Sequence, residues 1–169
     1  MNKKIGLFWL RDDFRISKNN GLIEATTNHD QVVVFYLYKK LTYKYQEAQK
    51  WWLSKSLIHF RKNLNKLNIN LEIIETGSFK IFFEKLFKKN DFSFYWNKVY
   101  EPDYLKFDQY LLKNFKNKSI LHKICKGNTL NEINEIKKND GTPFKVFTPF
   151  WRTAEKYYIE KIPPKEKII

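Results

Sequence analysis

The side chains of this chain that could do chemistry gather at the ends of three apolar runs. Residues 5–10, IGLFWL, turn at once into the charged elbow Arg11-Asp12-Asp13-Phe14-Arg15. Residues 31–38, QVVVFYLY, end on Tyr38 and Lys39. Residues 91–97, DFSFYWN, end on Asn97 and run on to Glu101, Pro102 and Asp103. Trp9, Arg11, Tyr38, Lys39, Asn97, Glu101 and Asp103 are therefore the candidate binding residues, and Trp52, near the start of a long helix, would close one side. Aromatic faces stack on a flat ring, while an amide and two carboxylates accept its N–H groups. That set suits a flat heteroaromatic ligand better than a phosphate. Each part also has a structural use. Asp13 can pair with Arg11 or Arg15 and pin the elbow, and Glu101 and Asp103 can serve the first turn of a helix, where acids are favoured. Asp12 and Asp13, adjacent on a loop, point different ways and make a poor catalytic dyad.

Short apolar runs bounded by charge read as strands buried on both faces. Helix candidates lie between them at 19–27, 47–67, 79–88 and 102–115. In the second, Leu53, Leu57, Phe60, Leu64 and Leu67 share one face. The fourth opens on Pro102, whose missing N–H costs nothing in a first turn. Two more strands are expected at 68–75 and 119–124. The alternation predicts an α/β fold: a doubly wound, Rossmann-like, five-stranded parallel sheet with helices on both faces. Ligands of such sheets sit beyond the carboxyl ends of the strands, where strand order reverses. The elbow, Tyr38-Lys39 and residues 97–103 would meet there.

Residues 39–46 read as a polar, aromatic loop. From Cys125 the pattern changes. Residues 140–152, DGTPFKVFTPFWR, hold too many rings for a solvated linker and too many prolines for a strand of this sheet. Residues 163–169 have a loop composition. The expected division is a domain at 1–126, followed at 127–169 by the beginning of a linker.

The net charge of +14 and a pI near 9.7 invite a polyanionic partner. Only four of the 32 basic residues are arginine (Arg11, Arg15, Arg61 and Arg152), and Asn, Ile, Phe and Tyr are also heavily used. An AT-rich genome produces that mixture without selection for binding, so the scarce arginines carry more information than the lysines. The single cysteine, Cys125, excludes an internal disulfide, and three scattered histidines give no reason to expect a metal centre. Neither a G-x-G-x-x-G nor a G-x-x-x-x-G-K-[ST] phosphate loop is present, and no G-x-S-x-G elbow. No apolar run reaches membrane-spanning length and residues 1–4 show no secretory pattern, so a cytoplasmic protein without a membrane partner is expected.

Three motifs, in this order, resemble those of the DNA photolyase and cryptochrome family. Phe8-Trp9-Leu10-Arg11-Asp12-Asp13-Phe14-Arg15-Ile16, followed by Asn19 and Leu22, is similar to the family's W-F-R-x-D-L-R-L-x-D-N-x-A-L. Trp96-Asn97-Lys98-Val99-Tyr100-Glu101-Pro102 is similar to its N-x-x-Y-E-P. GTPFKVFTPFW, from Gly141, is similar to its G-x-P-Y-x-V-F-T-P-F. The resemblance implies an N-terminal α/β domain carrying a light-harvesting antenna, which is a folate, a deazaflavin or flavin mononucleotide in different members. Flavin adenine dinucleotide (FAD) and the lesion would belong to a helical domain beyond this chain, in cis or as a separate chain. In the intact protein, reduced flavin would donate an electron to a cyclobutane pyrimidine dimer flipped out of DNA. This chain alone, without the flavin catalytic domain, would not split dimers.

Two departures leave the antenna's identity open. Gln49, Lys50 and Trp51 stand where members often have an arginine ahead of F-L-x-x-S-L, and Asp103-Tyr104 stands where folate-binding members tend to have Asn-Glu. Two other functions fit the residues: a stand-alone α/β nucleotide- or flavin-binding module without catalysis, and a basic DNA-binding accessory protein.

Overall fold

The computed structural model of the chain describes residues 5–39, 47–89, 91–127, 129–132 and 135–160. Apart from Lys39, the expected loop at 39–46 lies outside these, as does the segment at 163–169. All five expected strands form: β1 (Ile5–Leu10), β2 (Val32–Tyr38), β3 (Asn70–Glu75), β4 (Phe92–Asn97) and β5 (His122–Cys125). They make one sheet in the order β3-β2-β1-β4-β5, and every pairing is parallel. Parallel neighbours need crossovers, which are α1 (Asn20–Asn28), α2 (Glu47–Asn65), α3 (Phe79–Leu86) and α4 (Pro102–Asn117).

Side chains alternate across each strand, so the sheet has two apolar faces. On one face Phe8, Leu10, Val34 and Tyr95 pack with Leu22 and Ala25 of α1 and with Leu57, Phe60 and Leu64 of α2. On the other, Trp9, Phe35, Leu37, Phe94 and Trp96 pack with Phe83 and Phe87 at α3 and with Leu111 and Phe115 of α4. β1 and β4 therefore read as nearly unbroken apolar runs because they are covered on both sides. Gly21 lets α1 come down onto the sheet: a Cβ there would stand 2.6 Å from both the Asn97 amide oxygen and the Phe8 ring.

The strand expected at 119–124 starts three residues late, at His122. The reason is the end of α4. Ser119 takes a left-handed φ of 53°, and the Ile120 N–H donates back to the Phe115 carbonyl at 3.0 Å. Those residues close the helix and are not free to extend.

The chain divides into two compact units, Met1–Gly127 and Asn128–Ile169. In the second, Asp140 accepts from the Thr142 N–H at 2.8 Å and its hydroxyl at 2.6 Å, around Gly141 at φ 79°. Those bonds hold the Asp140 carboxyl below its usual range. A helix not expected from the sequence follows, α5 (Phe147–Glu160). Pro149 sits in its first turn, where proline is tolerated, and the Phe147 ring stacks on Trp151 four residues on. Among the described residues no helix is long and apolar enough to cross a membrane.

Candidate functional site

The elbow after β1 is a knot of ion pairs and hydrogen bonds. The Arg11 guanidinium, 4% exposed, forks onto the buried carboxylate of Asp108 in α4. It also lies 4.0 Å over the Trp9 ring and 4.9 Å over that of Tyr104. A delocalised cation with apolar stacking faces is the form of charge best suited to such burial. Its Nε has no hydrogen-bond partner among the described residues. Asp13 takes a bidentate pair from Arg15, at 2.7 Å from Nε and 2.8 Å from Nη2, which raises the Arg15 pKa. Of the two pairings open to Asp13, the structure contains the one with Arg15.

Asn97 belongs to the same knot, on the α1 face of β4. Its amide oxygen accepts the Gly21 N–H at 2.8 Å, and its amide nitrogen donates to Asn19 Oδ1 at 2.8 Å. That oxygen in turn caps α1 by accepting the Leu22 N–H at 3.1 Å. Asn19 also donates to the Arg15 and Asp13 carbonyls, at 3.0 Å and 3.3 Å. Two asparagines thus clamp the elbow, α1 and β4 together, and the donor capacity of the Asn97 amide is directed into the protein.

Beside the knot, on the face covered by α3 and α4, lies a half-open cavity of about 460 Å³. It sits between the carboxyl end of β2 and the first turns of α3 and α4. Tyr38, Lys39, Glu101 and Asp103, all nominated from sequence, line it. So do Phe79, Lys80, Tyr104 and Phe107, which were not. Lys39 holds its ammonium 4.4 Å over the Phe79 ring. Trp9, fully buried, stands behind this wall with ring centres 5.6 Å from Phe79, 6.3 Å from Tyr104 and 6.0 Å from Phe107. Glu101 is the N-cap residue of α4, but its side chain makes no capping bond, and Asp103 is in the first turn. Both carboxylates are exposed.

The structure thus brings four of the nominated residues to one cavity. Trp9, Arg11 and Asn97 are buried outside its lining, and Trp52, 68% exposed on α2, is not part of it. The unforeseen lining residues had a signal. Phe79 and Lys80 begin a helix, and helices of this topology begin at the carboxyl edge of the sheet. Cys125, at the end of β5, is buried with its thiol pushed up to about 11 by desolvation, which keeps it un-ionised and inert at neutral pH.

The family model described as DNA photolyase matches residues 6–167. A deoxyribodipyrimidine photo-lyase of Agrobacterium fabrum is 27% identical over 149 residues, covering 88% of this chain and 31% of that protein. One from Buchnera aphidicola is 30% identical over 154 residues, covering 85% and 32%. The chain thus spans about a third of the length of these relatives. Among solved structures, a class III photolyase of Agrobacterium tumefaciens superposes with a TM-score of 0.80 at 26% identity, over 92% of this chain and 32% of that one. A Synechocystis cryptochrome shares the fold, at TM-score 0.72 and 20% identity over 95% of this chain and 35% of that one. So does a Sulfolobus tokodaii photolyase described with two FAD molecules, at 0.73 and 19% over 89% and 35%.

Proposed function

We propose a function from one premise: the chain belongs to the DNA photolyase family, as its N-terminal α/β domain. In our reading it is the antenna unit of a light-driven DNA repair protein, and residues 127–169 begin the linker from a domain at 1–126. The observation that carries this is the cavity at the ends of β2, α3 and α4. At about 460 Å³ it falls within the usual range of small-molecule sites, roughly 300–1,000 Å³.

Its residues fit a flat heteroaromatic chromophore. Phe79, Tyr104 and Phe107 offer ring faces, and Glu101 and Asp103 accept hydrogen bonds from ring N–H and amino groups. Lys39 and Lys80 supply cations for a carboxylate or phosphate tail. A folate or a deazaflavin matches the paired carboxylates best, and flavin mononucleotide would rely on the two lysines. When bound, such a group supplies absorption of near-ultraviolet or blue light and passes on the excitation. This chain's residues orient it and exclude water from one face. Electron donation to a pyrimidine dimer in DNA belongs to a helical flavin domain, in cis or as a separate chain.

The test is a titration of the 169-residue chain with a folate, a deazaflavin and flavin mononucleotide, following ligand fluorescence and the amide shifts of Glu101 and Tyr104. Saturable shifts at those residues with one of the three support the reading. No perturbation by any of them at millimolar concentration refutes it. The same preparation, supplied with free flavin and illuminated, is expected to leave thymine dimers intact.

A further inference from the structure

Opposite the cavity, the last turns of α3 and α4 meet at the amino edge of the sheet. The Phe87 ring, at the C-cap of α3, stands edge-on 5.1 Å from Phe115 of α4. Each ring is the buried centre of a basic triplet: Lys85, Lys88 and Lys89 on one helix end, Lys113, Lys116 and Lys118 on the other. All six are exposed. The ring contact thus sets the helix end carrying Lys85, Lys88 and Lys89 beside the one carrying Lys113, Lys116 and Lys118.

Few acids offset them, Glu84 and Asp91 flanking the first triplet alone. Residues 85–90 and 109–131 contain no Asp or Glu. Glu84, one position before the first triplet, reaches back to Lys80 at 3.9 Å. Among the described residues none of the six lysines has an ion-pair partner. A lysine near a helix C-terminus is favoured by the dipole, but three per end, unpaired, repel one another. Coding bias accounts for lysine in place of arginine. It does not account for the absence of acids from the 23 residues 109–131 around the second triplet.

We propose that the paired ends of α3 and α4 are a docking face for the phosphate backbone of duplex DNA. Six exposed lysines without ion-pair partners on adjoining helix ends complement a polyanionic backbone. The rings at the centre are buried and are not presented as an apolar stripe, which a lipid-binding basic helix requires. The choice of DNA as the polyanion rests on the family premise, and the face itself is independent of the cavity. It lies at the far end of α4, roughly 20 Å away at 1.5 Å per residue. Backbone contacts of this kind position a protein on DNA without reading sequence.

The experiment uses the whole 169-residue chain and a labelled duplex of roughly 20 base pairs and arbitrary sequence, with anisotropy read as salt is raised. With six phosphate contacts, affinity is expected to fall about a thousandfold between about 50 and about 200 mM salt. The triple substitution K85E/K88E/K89E should weaken binding at least tenfold at the lower salt and reduce the salt slope by about three. K113E/K116E/K118E, on the other helix, should do the same and serves if the first variant fails to fold. K55E/K106E/K145E carries the same change of charge elsewhere and should leave the slope near that of the unsubstituted chain. Equal losses in all three variants would reduce the effect to net charge and overturn the proposal. So would absence of DNA binding at the lower salt, or tighter binding of duplex RNA or phosphatidylglycerol vesicles than of DNA. If the cavity takes no chromophore while the triplets still govern DNA binding, the antenna reading falls and this one stands.

Discussion

The elbow after β1 and the cavity beside it hold similar residues, namely arginine or lysine, carboxylates and aromatic rings, yet they behave as opposites. In the elbow the cation is dry, stacked and forked onto Asp108, and the asparagines spend their hydrogen bonds on α1 and on the chain itself. In the cavity Glu101 and Asp103 are exposed, and the aromatic wall is partly open. A charge neutralised inside the protein has little left to offer a ligand. A charge held at the rim of an aromatic wall does. The difference lies in burial, not in residue type.

Breaking the elbow should have the largest effect. Asp108→Ala leaves the Arg11 guanidinium buried without a counter-charge and is expected to cost about 3–5 kcal/mol. In urea this would read as a lower midpoint at unchanged slope, while Glu101→Gln should leave the midpoint where it is. Equal midpoints for the two variants would abolish the contrast. Next, Asn97→Ala strands the Gly21 N–H and removes one of the two donors to Asn19 Oδ1, and should cost about 2 kcal/mol. Faster amide exchange at Gly21 is the specific readout.

On the cavity side the expectation reverses. The double substitution E101Q/D103N should weaken binding of a pterin or deazaflavin about tenfold, since hydrogen bonds to charged groups contribute about 1.5–3 kcal/mol. Chemical denaturation should be unchanged. A loss of stability in place of affinity would make these carboxylates part of the scaffold.

The smallest effect concerns Cys125. Burial raises its thiol pKa to about 11 in the folded chain, against an ordinary value near 8.5. A group with a raised folded pKa contributes stability below its unfolded pKa and loses it as pH rises through the folded one. The stability difference between the unsubstituted chain and Cys125→Ala should therefore shift against the thiol between pH 9 and about 11, and be flat below pH 8. A flat difference throughout would mean that the thiol is hydrated.

Strands and crossover helices could be read from periodicity because each buries a stripe whose spacing is local. The partner of Arg11 could not, since Asp108 is 97 residues away. It did leave a trace. Tyr104, Asp108, Leu111 and Phe115 share a helical stripe, and an acid on the apolar side of a helix requires a buried cation opposite. Helix α5 is not expected when residues 140–152 are weighed only as strand or linker; Pro149 occupies its first turn. Its stripe, Phe147, Phe150, Trp151 and Ala154, has the helical spacing. The place of Asn97 follows from one feature of strands: side chains alternate, so the last residue of β4 faces α1 while Trp96 faces the α3 and α4 side.

The clamp between Asn97 and Gly21 joins positions 76 residues apart, which matters to a chain that is made in one direction. At roughly 5–20 residues per second, the ribosome needs about 4–15 s to span that distance. Through that interval the first helix has no Asn97 at its amino end. The edge of β1 that will take β4 stays unpaired, a nascent template for any other extended segment. For β1 the hazard ends when β4 emerges, so the pace of translation through residues 21–97 sets how long it lasts.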